Sequence, residues 1–388
     1  MTAEAVAAGP RTGAAVDAGR PLRIALLTYK GNPFCGGQGV YVRHLSRELA
    51  RLGHTVEVIG AQPYPVLDAV DGGDGSRTTP GRVALTELPS LDLYRQPDPF
   101  RTPGRDEYRD WIDALEVATM WTGGFPEPLT FSLRARRLLA ARRGDFDVVH
   151  DNQTLGYGLL APLGAPLVTT IHHPVTVDRR LELDAARDWK RRASVRRWYA
   201  FTRMQKRVAR RLPSVLTVSG SSRQEIVDHL GVRPERVHVV PVGADTDLWS
   251  PDPSVAEVPG RIVTTSSADV PLKGLVHLVE ALAKLRTEVP DAHLVVVGRR
   301  AEDGPVARAI ERYGLAGAVR FVKGISDADL VDLVRGAQVA CVPSLYEGFS
   351  LPAAEAMATG TPLVATTGGA IPEVAGPDGE TCLAVPPG

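Results

Sequence analysis

The chain is poor in the features that mark several large classes of protein. Only three of its 388 residues are cysteine, at Cys35, Cys341 and Cys382. They form no CxxC pair and no zinc spacing, and their scarcity fits a reducing compartment. Charge of one sign is missing too: Lys+Arg and Asp+Glu both number 45, which argues against a general nucleic-acid binder. No long apolar run exists. The longest uncharged stretch, Leu155 to Ile171, is interrupted by Pro162, Pro166 and several glycines. A membrane span needs about 20 mostly apolar residues, so no transmembrane helix is expected. Residues 1–20 hold Ala and Gly but no apolar block, and read as a disordered tail rather than a signal peptide.

What is present suits a soluble α/β protein of two domains. At 388 residues the chain exceeds the size at which single cores stop growing, about 250–300 residues. Arg23–Tyr29 is a compact apolar strand, followed by a glycine-rich turn and helical spacing through Val40, Leu45, Leu49 and Leu52. Thr55–Ile59 is the next strand, and a strand–helix–strand order implies parallel pairing. Residues 62–107, rich in Pro, Gly and Asp, read as a long irregular surface excursion. Strands at 147–150, 166–171, 214–218 and 236–241 continue the first domain, residues 21–248, with a long helix near 185–211. A Pro-rich linker spans 249–260. A second alternating series fills 261–388: strands at 261–265, 293–297, 319–322, 339–342 and 362–366, with helices at 274–286, 304–313, 327–336 and 351–358. Each series predicts a doubly wound sheet, in which ligands sit beyond the carboxyl ends of the strands.

Residues just past the strands therefore carry the chemistry. Glu347 and Glu355 flank Gly348, Phe349, Ser350 and Leu351, where a helix begins after the strand at 339–342. Gly348 permits close backbone approach, and the free N–H groups from Phe349 to Leu351 form an anion site. A phosphate fits there, with the two carboxylates accepting hydroxyl hydrogen bonds on either side. Lys273, after the strand at 261–265, is placed to meet a diphosphate as a point charge. Gly36 and Gly37, in Gly36-Gly37-Gln38-Gly39, open the first helix in a geometry that favours a phosphate or sugar oxygen. The spacing is not the dinucleotide GxGxxG, and no acid closes the second strand. His172, at a strand's carboxyl end, is placed to hydrogen-bond a sugar hydroxyl, while His173 reads equally as a structural histidine. Asp178 is the only nearby acid, too few ligands for a metal. Asp245-Thr246-Asp247 reads as a turn and cap. The stretch 187–211 carries eleven Lys or Arg residues among Trp189, Trp198, Tyr199 and Phe201. It suits either a contact with anionic lipid or a solvated face with cationic stems covering aromatics.

These motifs resemble those of the retaining glycosyltransferases of family 4, which have the GT-B fold of two Rossmann-like domains facing across a cleft. The resemblance covers roughly residues 22–388. It is most specific in EGFSLPAAEAMATGTPLVAT (347–366) and extends to IPEVAG, VPVGADTDLW and GGQG. It implies a UDP- or GDP-linked sugar bound by the C-terminal domain, no cofactor and no metal. It further implies a hexosyl unit passed to an acceptor hydroxyl by a cytoplasmic enzyme; the basic aromatic stretch 187–211 points to a lipid-linked or anionic acceptor and to contact with the inner face of the membrane. Glu347 would contact the donor sugar and Glu355 the ribose diol. Gly348 to Leu351, Lys273 and Gly37 would meet the diphosphate, and His172 the transferred sugar. Two departures stand out. Ser267 replaces the family's arginine six positions before the lysine, with Arg299 as a candidate substitute. Family members also continue through further helices after the position of Gly388, so the C-terminal domain reads as incomplete. An epimerase of the same fold and a non-catalytic sugar-nucleotide or lipid binder are the rival classes.

Overall fold

The computed structural model describes residues 20–31, 37–68, 81–95, 97–266 and 270–388. The first domain holds β1 (Arg23–Thr28), β2 (Thr55–Gly60), β3 (Val83–Glu87), β4 (Val148–Asn152), β5 (Leu167–Thr170), β6 (Val215–Thr217) and β7 (Val237–Val239). They form one sheet in the order β3-β2-β1-β4-β5-β6-β7, every pair parallel. The second domain holds β8 (Val258–Thr265), β9 (His293–Val297), β10 (Val319–Val322), β11 (Ala337–Val342), β12 (Leu363–Thr366) and β13 (Leu383–Val385), ordered β10-β9-β8-β11-β12-β13 and again parallel. This is the GT-B architecture expected from the sequence.

The strands are near-continuously apolar because helices cover both sheet faces. Along β1, Ala25 and Leu27 join a core with Phe131 and Leu139 of helix Glu127–Ala141. Ile24 and Leu26 point the other way, toward Val42 of helix Gly37–Arg51. In the second domain, Val263 and Val342 pack on Val331 and Val334 of helix Asp327–Arg335, while Leu294 and Val296 pack on helices Leu275–Leu285 and Pro305–Arg312.

Several details differ from the sequence reading. The excursion is only partly irregular, because Val83–Glu87 adds β3 to the sheet edge, with Val56 opposite Val83. Two helices, Trp111–Trp121 and Glu127–Ala141, went unread. Their apolar periodicity is masked by charges that fold inward as a network: Arg134 pairs with both Asp113 (2.6 Å) and Glu116. The long helix at 185–211 is broken into Thr176–Ala185, Trp189–Trp198 and Thr202–Ala209. Asp188 starts the middle piece by accepting from Arg191 N at 2.8 Å. A 3₁₀ turn at Tyr199–Phe201 then re-phases the apolar stripe. Without it, Val195 and Met204, both buried, would stand on opposite sides of one helix. The Pro-rich stretch yields to β8 already at Val258. Just before it, Trp249 packs in the second core rather than the first.

Candidate active site

The second sheet reverses direction between β8 and β11, the switch point at which α/β sheets bind ligands. The chain leaves β11 through Ser344 and Glu347 and enters helix Leu351–Ala358 at Ser350. Ser350 has φ +97° and ψ +75°, left-handed for a non-glycine residue, and its side chain makes no cap. Its Oγ is buried without a partner. The first-turn N–H groups of the helix therefore stay free of a side-chain acceptor from their own cap.

Lys273 ends a 3₁₀ turn, Pro271–Lys273, beyond β8. Gly274 follows at φ +61°, where an added Cβ would lie 2.0 Å from the Pro343 carbonyl oxygen. Only glycine brings these two strand ends so close, and that proximity joins Lys273 to Glu347: Nζ lies 2.6 Å from Oε1. Ser344 Oγ donates to the same oxygen at 2.7 Å. Glu355, one helix turn inside, borders a small cavity with Thr264, Thr265, Cys341 and Pro352. Burial, reinforced by the charge of Asp327, pushes its carboxyl up to about 7.

The Glu347–Ser350 loop docks on the first domain. The Gly348 carbonyl accepts from Ser219 Oγ at 2.7 Å and Ser222 Oγ at 3.1 Å. An added Cβ on Gly348 would stand 3.0 Å from the His172 carbonyl oxygen. Tyr346 Oη donates to Glu225, and Glu373 accepts from Gly220 N and Ser221 N, both at 2.7 Å. On the far side of the cleft Arg47 reaches Asp245 at 2.7 Å and Arg43 reaches Asp327 at 3.2 Å.

His172 lies beyond β5, facing this loop. Its Nε2 is 2.8 Å from Asn152 Oδ1, and Tyr41 meets its ring edge-on at 4.7 Å. Asn152 Nδ2 points to the Gln38 carbonyl at 3.5 Å, which leaves Oδ1 as acceptor. His172 thus carries its proton on Nε2 and offers a lone pair at Nδ1. Burial, with His173 and His150 nearby, holds its pKa down to about 3. Gln153, left-handed at φ +55°, clamps the backbone: its Oε1 accepts from His172 N and its Nε2 donates to the His173 carbonyl, both at 2.7 Å.

The fold therefore brings His172, Gly348, Glu347, Lys273, Ser350 and Leu351 to one interdomain region. Phe349 lies between Gly348 and Ser350, half-buried. Gly37 opens helix Gly37–Arg51 with open space where a Cβ would stand. Gly36 and Ser267 lie outside the described residues, and Arg299 is exposed. Asp245 serves a turn, accepting from Asp247 N at 3.2 Å, as well as Arg47. Sequence reasoning passed over Tyr41, Asn152, Gln153, Ser219 and Ser222, and met Gln38 and Glu373 only as members of the GGQG and IPEVAG motifs. Asn152 and Gln153 were findable, since Asn152 ends β4 and Gln153 directly follows it.

Two parallel-sheet domains with polar and charged groups gathered at their facing carboxyl edges define the class of GT-B glycosyltransferases. Residues 35–248 match the family described as Glycosyltransferase Family 4, and residues 252–388 that described as Glycosyl transferases group 1. The MMP alpha-(1->4)-mannosyltransferase of Mycolicibacterium hassiacum is 56% identical over 94% of this chain and 86% of its own length. The D-inositol 3-phosphate glycosyltransferase of Kribbella flavida is 28% identical over 96% of this chain and 85% of its own. Among solved structures, the sucrose-phosphate synthase of Thermosynechococcus elongatus superposes with TM-score 0.65 at 23% identity, covering 94% of this chain and 86% of that one. Anabaena HepE, solved in complex with UDP-glucose, gives 0.63 at 19% identity, covering 95% and 86%. The chain belongs to glycosyltransferase family 4 and is a glycosyltransferase.

Proposed function

We propose that the protein transfers a mannosyl unit from a nucleotide-diphosphate mannose to a sugar hydroxyl, forming an α-(1→4) linkage with retention at the anomeric carbon. The observation that carries this reading is the 56% identity, spread over 94% of the chain, to an enzyme named for that transfer. The cluster at the β8/β11 switch point supports it. Lys273 and the first-turn N–H groups of helix Leu351–Ala358 supply positive charge where a leaving diphosphate develops negative charge. Glu347 accepts from the donor sugar's hydroxyls, and Glu355, beside the strand ends, from the ribose diol. His172, neutral with a free Nδ1, accepts from a hydroxyl of the transferred sugar. The docked domains shield the reacting carbon from water. No step in this scheme is routed through a metal, so activity should survive EDTA.

The test is a thermal-shift panel of GDP, UDP and ADP with their mannose and glucose conjugates, on wild type and Glu355→Ala, followed by linkage analysis of the product made from the stabilising donor. Stabilisation by GDP or UDP, lost in the variant, supports the donor site. Transfer of glucose in preference to mannose would overturn the sugar assignment.

A second reading concerns location. No helix among the described residues is long and apolar enough to cross a membrane. Trp189 is nevertheless 74% exposed at the head of a helix whose Arg191, Arg192, Arg196 and Arg197 are also exposed. An exposed tryptophan among arginines suits peripheral contact with an anionic bilayer at the cytoplasmic face. Co-sedimentation with phosphatidylglycerol vesicles, weakened by Trp189→Ala, tests it; equal binding to neutral vesicles would sink it.

A further inference from the structure

The first sheet also reverses its strand order, between β1 and β4, and beyond that point stand further residues to which no donor role is given above. Tyr29 and Lys30 follow β1 there, and Glu127 opens helix Glu127–Ala141 beside them. Glu127 Oε2 is buried without a hydrogen-bond partner, and so is Tyr94 Oη. Glu127 keeps part of its surface accessible. Asp151, a carboxylate close enough to act on Tyr29, is already engaged by Thr154 N and Leu155 N at 3.1 and 3.3 Å. Tyr94, Phe100, Phe125 and Trp198 build an aromatic wall with ring centroids 5.2 to 6.1 Å apart, and Lys30 Nζ sits 4.8 Å above the Phe125 ring. Phe100, 58% exposed, marks the open rim of the wall.

An orphaned buried carboxylate is costly, and side-chain packing alone does not explain its retention. Burial pushes the Glu127 carboxyl up to about 7, with the Lys30 ammonium acting against that shift. Sugar hydroxyls are donors of the kind both orphaned oxygens lack, and the C–H face of a pyranose matches an aromatic wall. The further carboxylates of Glu116 and Asp92, close enough to act on Glu127, oppose an anionic occupant. We propose that Glu127 and Tyr94 form the acceptor subsite, binding the hydroxyls of an uncharged hexose unit against the wall of Tyr94, Phe125 and Trp198. This rests on reading the chain as a mannosyltransferase with its acceptor on the first domain.

Initial rates are measured with the donor that stabilises the wild type, using methyl α-mannoside as the neutral probe and mannose 6-phosphate as the anionic one. Glu127→Gln and Tyr94→Phe should each raise the KM for methyl α-mannoside about tenfold or more, the scale of one hydrogen bond to a charged or buried group. Both should keep the nucleotide thermal shift. Glu127→Gln should also melt higher than wild type at pH 8, because it removes the orphaned charge. A purely structural Glu127 would move the melting temperature and leave the acceptor KM alone. An unchanged KM in both variants with the nucleotide shift intact overturns the subsite, as does wild-type preference for mannose 6-phosphate. No nucleotide shift in the wild type overturns the donor reading and the subsite with it.

Discussion

Lys273 Nζ and Glu347 Oε1 stand 2.6 Å apart across the β8/β11 switch point, so a cation and an anion assigned to different parts of a donor neutralise one another before the donor arrives. Both are partly exposed, which limits what the pair adds to stability. On the function proposed above its consequence is catalytic: a bound diphosphate would take over the ammonium and free the carboxylate for sugar hydroxyls. Lys273→Ala should therefore lower kcat by about 10²–10³, the range seen when one charge-stabilising donor is lost. The melting temperature should stay within about 2 °C. Steady-state kinetics beside a melting curve check this, and a large drop in melting temperature without a kinetic defect would contradict it.

Glu355 gives a pH signature. Its folded pKa, about 7, lies above its unfolded value, so its contribution is most favourable below the unfolded pKa and is lost as pH rises through 7. Glu355→Gln removes that loss. The variant should be more stable than wild type at pH 8 by on the order of 2 kcal/mol, with the difference shrinking toward pH 5. Denaturant melts at the two pH values measure it; a constant difference would mean that Glu355 ionises normally.

His172 does not titrate in the working range. With its pKa held down to about 3, the kcat/KM profile should show no inflection near 6.5 from this residue. Asn152→Asp would place a negative charge 2.8 Å from Nε2 and raise that pKa, introducing an acid-side inflection that wild type lacks. An inflection near 6.5 in wild type that His172→Ala removes would show the imidazole to be a proton carrier.

Ser350 holds a left-handed backbone at φ +97° with a buried, unpartnered hydroxyl. Ser350→Gly should relieve strain of about 1 kcal/mol and raise the melting temperature. Ser350→Val should do the opposite by a larger margin. A neutral result for both would mean that the loop relaxes without its side chain.

The parts of the candidate site that are legible in the sequence are those whose motif is local. Glu347, Gly348 and Glu355 belong to one short run of chain, so sequence spacing already fixed which turn and helix would hold them. Helices Trp111–Trp121 and Glu127–Ala141 are not legible because Asp113 and Glu116 on the first and Arg134 on the second occupy inward positions that a hydrophobic pattern reads as outward. The position of Asn152 and Gln153 at the end of β4 is legible, but their role is not, because it depends on His172, which lies beyond the neighbouring strand β5.

The sequence by itself determined the alternation of strand and helix, the two-domain GT-B layout and the family motif, because these follow from periodicity and short-range turn chemistry. Tertiary structure alone decided which groups meet: Lys273 with Glu347, Ser219 with Gly348, Glu373 with the backbone N–H groups of Gly220 and Ser221, and Glu127 Oε2 with no hydrogen-bond partner. Such contacts join residues 74 to 153 positions apart, or leave one stranded. They arise from how two sheets are docked edge to edge, which no local pattern encodes.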